Sequence, residues 1–230
     1  MNEECLICKA PLEYLHTDEE MECVLCRKKK YSKTRCVNGH FVCDECHSGG
    51  MDGMMAICLR SRSDDPFEIM EEMMRMPTCH MHGPEHHIMV GSALLTAYKH
   101  AGGEIDLPAA LCEMMKRGKQ VPGGACGFWG ACGAGISTGM FISIALNATP
   151  LAGEAWGLSN QMTARALDAI GHNGGPRCCK RDSYLAMTEA VKFVQEKLNI
   201  AMKLPPIVCT RSHLNNQCRE EKCPFYGKIG

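Results

Sequence analysis

The stretch His82-Gly-Pro-Glu-His-His-Ile-Met-Val-Gly-Ser-Ala-Leu-Leu-Thr-Ala-Tyr98 decides the fold. Pro84 suits the first turn of a helix, and Glu85 suits the positive end of its dipole. From Ile88 to Tyr98 the chain is apolar on most faces, which predicts a central helix ending near Gly102-Gly103. Working outward, Pro66 to Met76 reads as a helix stopped at Pro77. Asp106-Leu-Pro supplies a cap and an early proline for a helix reaching about Arg117, closed by Gly118. Ser137 to Leu146 and Trp156 to Ile170 read as two more, the second broken at Asn173-Gly-Gly-Pro176. A final long helix, Tyr184 to Leu198, takes Asp182 or Ser183 as its cap. No alternating strand pattern stands out, so the expected fold is mainly α: an all-helical body with a small N-terminal double-zinc module.

Composition sets the limits. The 230 residues carry a net charge of −1 with 22% charged side chains, which suggests neither wholesale nucleic-acid attraction nor disorder. Val121 to Gly153 contains no charged residue, but its best apolar run, Ile136 to Leu146, is too short to span a bilayer. No membrane partner is expected. Many of the 17 cysteines come as CxxC pairs, behind an N-terminus without a secretory h-region. They therefore read as metal ligands in a reducing, anaerobic cytoplasm.

Three segments follow. Residues 1–48 form a zinc-binding module, 66–204 a helical iron–sulfur-type domain, and 205–230 a cysteine-containing tail packed on the body. Ser48 to Asp65, with Gly49, Gly50 and Gly53, reads as a hinge.

The module carries Cys5-x2-Cys8, Cys23-x2-Cys26, Cys36-x3-His40 and Cys43-x2-Cys46, enough ligands for two tetrahedral Zn²⁺ ions. The run from Cys36 to Cys46 resembles the central part of a RING-type finger. That likeness implies Cys5, Cys8, Cys36 and His40 on one zinc, and Cys23, Cys26, Cys43 and Cys46 on the other. Sequential ribbons are the alternative pairing. The basic run Arg27-Lys-Lys-Lys30 with Lys33 is either a solvated rim or a phosphate-binding edge.

Chemistry in the body concentrates in three blocks. Four histidines in eight residues stand at the mouth of the central helix. His82 and His86, four apart, are candidates for one acid/base site with Glu85, against a purely structural role in capping and backbone hydrogen bonds. Gly123-Gly-Ala-Cys-Gly-Phe-Trp-Gly-Ala-Cys-Gly-Ala-Gly135 and Gly174-Gly-Pro-Arg-Cys-Cys-Lys-Arg-Asp-Ser183 set Cys126, Cys132, Cys178 and Cys179 in glycine-rich turns. There backbone can approach a bulky group, and Arg177, Lys180 and Arg181 favour thiolates. The tail adds Cys209, Cys218 and Cys223-Pro224, a further iron–sulfur or zinc set that His213, Cys178 or Cys179 would complete.

The blocks His82-Gly-Pro-Glu-His-His87, Gly127-Phe-Trp-Gly-Ala-Cys-Gly-Ala-Gly135 and Gly174 to Ser183 resemble a domain family of unknown function from anaerobic bacteria and methanogens. That family is sometimes attached to methyltransferase or radical-SAM domains. More distantly, the order His80-Met-His82-Gly83-Pro84, Ala131-Cys-Gly-Ala-Gly135, Gly174-Gly175…Cys178 is similar to the iron–sulfur L-serine dehydratases and L-cysteine desulfidases. That likeness implies a 4Fe–4S cluster on three cysteines, Cys178 with Cys126 and Cys132, whose fourth iron is open to substrate. The doubled Cys178-Cys179, the shorter chain and the zinc module depart from that pattern.

The resulting expectation is an iron–sulfur enzyme acting on a small sulfur- or hydroxyl-containing substrate, lyase- or desulfidase-like or sulfur-transferring. The alternative is a non-catalytic zinc and iron–sulfur accessory protein docking a methyltransferase or radical-SAM partner. Nucleic-acid modification would rest on the basic run alone.

Overall fold

The computed structural model describes residues 5, 8, 10–23, 28–43 and 53–227. The chain divides into two units, Met1–Gly53 and Met54–Gly230.

In the first unit, β1 (Leu12–Glu22) and β2 (Lys29–Cys36) form an antiparallel hairpin. Leu12 pairs with Cys36 and Glu22 with Lys29, and the register shifts between Tyr14 and Glu19. These strands are absent from the expected all-helical reading. Most of β1 is exposed and polar, so no face alternates. Charge pairs across the hairpin instead: Lys29 Nζ lies 3.2 Å from Glu20, and Arg35 reaches Glu13 at 2.5 Å and Glu19 at 2.9 Å. Cys23, Phe41 and Cys43 form a small buried cluster.

The second unit is helical. A helix α1 covers residues 53–60, so the expected hinge is in its last part a helix, with Met54, Ile57 and Cys58 buried. Then come α2 (Pro66–Met74), α3 (His86–His100), α4 (Leu107–Gly118), the single turn α5 (Ala125–Phe128), α6 (Gly133–Ala145), α7 (Gly153–Asn173) and α8 (Cys179–Leu198). Local chemistry sets the ends. Asp65 Oδ1 accepts from the backbone N–H of Phe67 and Glu68, and Asp106 Oδ1 from that of Ala109. Helix α7 stops at Gly174, which holds φ +74°.

Helix α3 is buried from His86 to Tyr98 and packs against α2, α4, α6 and α8. It is the core helix that its composition predicts. Glycine spacing on α6 sets how closely α7 approaches. A Cβ on Gly135 would meet Leu167, and one on Gly139 would strike Thr163 Oγ1. The end of the glycine-rich block therefore serves helix packing rather than room for a bulky group. Helix α8 begins at Cys179, a turn before the expected start, and its cap is Cys178 rather than Asp182 or Ser183. Asp182 sits in that first turn instead, where its Oδ2 accepts the Cys178 N–H at 3.4 Å.

Among the described residues, no helix is long and apolar enough to cross a membrane.

Candidate metal and thiol centres

In the first unit, the ligand atoms of Cys5, Cys8, Cys36 and His40 all lie within 4.8 Å of one another. His40 Nδ1 is 3.3 Å from Cys8 Sγ and 3.7 Å from Cys5 Sγ, and Cys8 and Cys36 sulfurs are 3.4 Å apart. This is the first of the two quartets that the likeness to a RING-type finger implies, and it suits a single tetrahedral ion. The Ala10 backbone N–H, with help from Asn38, Cys36 and His40, takes the Cys8 thiol down to about 6, against the opposing effect of burial. Of the second quartet, Cys23 and Cys43 are buried together, and the Cys43 N–H donates to Cys23 Sγ at 3.4 Å. Cys26 and Cys46 lie outside the described residues.

In the helical unit, three helix N-termini belong to mutually packed helices: α3 begins after Glu85, α6 after Cys132 and α8 after Cys178. The last two have a cysteine at the cap, so first-turn N–H groups and positive dipole ends face thiols: Ala134 and Gly135 toward Cys132, Lys180 and Arg181 toward Cys178.

Starting α8 at Cys179 separates the two adjacent cysteines. Cys178 lines a small recess, of about 20 Å³, together with Cys209, Cys218 and Cys223. Arg181, Arg211 and Arg219 also line it. The Arg211 N–H donates to Cys209 Sγ and the Glu220 N–H to Cys218 Sγ, both at 3.4 Å. Backbone donors two residues on suit thiolate ligands. Asn215 Nδ2 reaches Cys178 Sγ at 3.6 Å. Burial raises the Cys178 and Cys209 thiols, and the nearby N–H groups oppose it. Of the fourth ligands that sequence left open for the tail, Cys178 is the one in the recess.

Cys179 faces the other way. Its sulfur takes the Gly83 N–H, and burial, with the charges of Cys132 and Asp182, pushes it up to about 12. Cys132 lies 4.0 Å from Asp182 Oδ2, and burial first, then Asp182, raises it to about 11, with Cys126 adding to the shift. Cys126, Cys132 and Cys179 are thus electrostatic neighbours, whereas Cys178 belongs to the tail.

The tail is strapped on by groups that no motif announced. Arg211 Nη1 lies 3.0 and 2.7 Å from the two Glu71 oxygens, and the Tyr184 hydroxyl donates to Glu71. Phe225 packs edge-on against Tyr184, with ring centroids 5.3 Å apart. Arg219 donates to the carbonyls of Asn173 and Gly174, and Arg181 to that of Pro176.

The histidine block divides. The Gln217 N–H donates to Asn215 Oδ1 at 2.9 Å, which orients that amide. His82 Nε2, 3.2 Å from the same oxygen, is then the donor, and its buried Nδ1 has no hydrogen-bond partner among the described residues. Burial, with Arg177 and Lys180 nearby, lowers the His82 pKa. His86 is 1% exposed: Nδ1 meets Gly83 O at 3.0 Å and Nε2 meets Lys180 Nζ at 2.8 Å. Burial, then the Lys180 charge, holds His86 down at about 3. Glu85 accepts from the His80 N–H at 2.9 Å; burial raises it, but His80 and His86 prevail and take it to about 2. His82 and His86 are turned to different partners rather than to one.

No curated protein and no solved structure matches the chain. A family model does, over residues 54–226, the helical unit with its tail. The chain belongs to DUF5714, a family of unknown function.

Proposed function

We propose that the helical unit holds an iron–sulfur cluster of the 4Fe–4S type on the tail thiols Cys209, Cys218 and Cys223, with Cys178 in the same recess. In this reading it is an enzyme for a small sulfur- or hydroxyl-containing substrate, acting by elimination or sulfur transfer. The observation that carries the reading is the convergence of four thiols on one recess with backbone N–H groups and three arginines around it. Among the described residues this quartet is not drawn within the 4.8 Å that marks the Cys5 set, and cluster ligands stand wider than those of one ion. When bound, such a cluster supplies a Lewis-acidic iron.

The chain's own residues supply the rest. Arg181, Arg211 and Arg219 offset the negative charge of the thiolates. His82 presents a bare Nδ1 in a half-buried setting, the form a proton acceptor needs. Asn215 links it to Cys178 and fixes its tautomer. In the first unit, two zinc ions on the two quartets would be structural, because the hairpin buries too little apolar surface to fold alone.

A second reading, an accessory protein for a methyltransferase or radical-SAM partner, is favoured by the completeness of the quartet, since four thiols can close a cluster. Anaerobic iron and sulfide analysis with visible absorption tests both. The proposal expects about four irons and a broad band near ~400 nm, lost in Cys209→Ser. In the enzyme reading Cys178→Ala keeps the band, because three tail thiols retain the cluster. In the accessory reading it bleaches. A colourless protein containing zinc alone overturns the cluster.

A further inference from the structure

On the far side of the α8 N-terminus lies a group that the metal-binding reading does not use. Lys180 is 2% exposed, and its ammonium meets three acceptors: His80 O at 2.7 Å, His86 Nε2 at 2.8 Å and Cys79 Sγ at 3.1 Å. The His86 tautomer is fixed, because Nδ1–H is directed to Gly83 O, which leaves Nε2 as an acceptor. Three N–H donors thus meet three acceptors.

Cys79, Glu85 and His86 have the spacing of a metal site, with ligand atoms within 4.8 Å. The ammonium nitrogen, however, sits against two of these three atoms, so the cation of this site is Lys180 itself. Glu85 is occupied with His80, through the backbone N–H and through Nδ1 at 3.3 Å. The Cys79 sulfur also has three longer neighbours, His80 O at 3.7 Å, Met89 Sδ at 3.9 Å and His86 Nε2 at 4.0 Å. Its one short contact is the one it receives. Hydrogen bonds of this kind, from a cation to an anion, are the strong ones. Burial raises the Cys79 thiol, and Lys180 is the largest influence against it.

We propose that Cys79, whose attacking thiolate the Lys180 ammonium 3.1 Å away would stabilise with His86 as the fixed neutral wall, is a nucleophilic site that accepts a sulfane sulfur from a small persulfide. The chemistry needs no outside oxidant. The Cys79 thiolate attacks the terminal sulfur of R–S–SH, a new S–S bond forms, and the donor S–S bond breaks. The persulfide proton passes to the departing thiolate, giving Cys79–S–S⁻ and R–SH. Lys180 then faces the anionic terminal sulfur.

The test is brief anaerobic exposure of the full-length protein to glutathione persulfide, followed by peptide-resolved mass spectrometry. Exposed Cys112 serves as the internal reference. Cys79 is expected to gain one sulfur about tenfold faster than Cys112 despite its burial, as a stabilised thiolate should. Lys180→Met should remove that advantage, and Lys180→Arg should retain part of it. Equal or slower modification of wild-type Cys79 overturns the proposal, as does an undiminished rate in folded Lys180→Met. The wild-type comparison decides by itself if that variant does not fold.

Discussion

Cys178 and Cys179 are neighbours in sequence and belong to different surroundings: the first lines the tail recess, and the second takes the Gly83 N–H beside Cys132. A helix start makes this division. Cys178 is the extended cap and Cys179 the first helical residue, so the chain direction changes between them. One short block, Cys178 to Asp182, thereby supplies side chains to the recess, to the Cys132 group and to the Cys79 group.

The N-terminal quartet predicts a local metal dependence. Cys36→Ser should release one metal ion and disorder the hairpin that ends at Cys36, while the helical unit keeps its far-UV circular dichroism. Metal analysis of the purified variant checks this. Retention of the wild-type metal content would remove Cys36 from the ligand set.

The tail strap predicts a stability loss at a distance from any cysteine. Arg211→Met leaves the Glu71 carboxylate with Tyr184 but without its cation. Because Glu71 is partly exposed, the expected loss is about 1–3 kcal/mol rather than the full penalty of a buried charge. Urea denaturation reads it, and iron content should fall in the same variant.

His86 predicts a pH dependence with a definite sign. Its folded pKa, about 3, lies below the ordinary histidine value of 6.5. Between those values the unfolded chain binds a proton that the folded chain does not. The contribution is therefore complete above pH ~6.5 and is lost as pH falls toward 3, at up to about 1.4 kcal/mol per pH unit. His82 and His87 are shifted in the same direction, so His86→Gln should flatten the profile between pH 6.5 and 4.5 without levelling it. Denaturation midpoints at several pH values in that window test it. An unchanged slope would assign the effect elsewhere.

Helix packing gives the fourth expectation. A Cβ on Gly139 would strike Thr163 Oγ1 and lie 3.0 Å from Ser159 O. Gly139→Ala should force α6 and α7 apart and lower stability by roughly 1–3 kcal/mol. Gly139→Ala combined with Thr163→Ala should recover part of that, since the side chain in the way is then gone while Ser159 O remains. Thermal unfolding of the single and double variants measures the difference.

The helices were legible where capping and apolar runs agree. Asp65 and Asp106 cap as their sequence contexts indicate, and the Ile88–Tyr98 run is the core. Helix α8 was misread by a turn because Cys178 is not among the usual caps, whereas Asp182 and Ser183 are. The β1 strand left no signal, because an exposed, acidic strand has no buried face to mark it. Cysteine spacing led to both centres. What it could not show was orientation: that Asn215 sets the His82 tautomer, that Glu71 holds the tail, and that Lys180 points inward. Those facts arise from residues up to 140 positions apart, brought together only by tertiary packing.

The strap of Glu71, Arg211 and Tyr184 also implies an order of assembly. Helix α3 and its neighbours bury an apolar core of their own, and the strap ties the segment carrying Cys209 to α2 and α8 through protein groups alone. The thiols of the recess are therefore gathered by folding, and a metal centre could be inserted, repaired or exchanged in a finished domain. Among the described residues the N-terminal quartet has no comparable scaffold, so an ion there would be a condition of the fold. One chain would thus hold a receptacle shaped in advance and a knot that its own cargo ties.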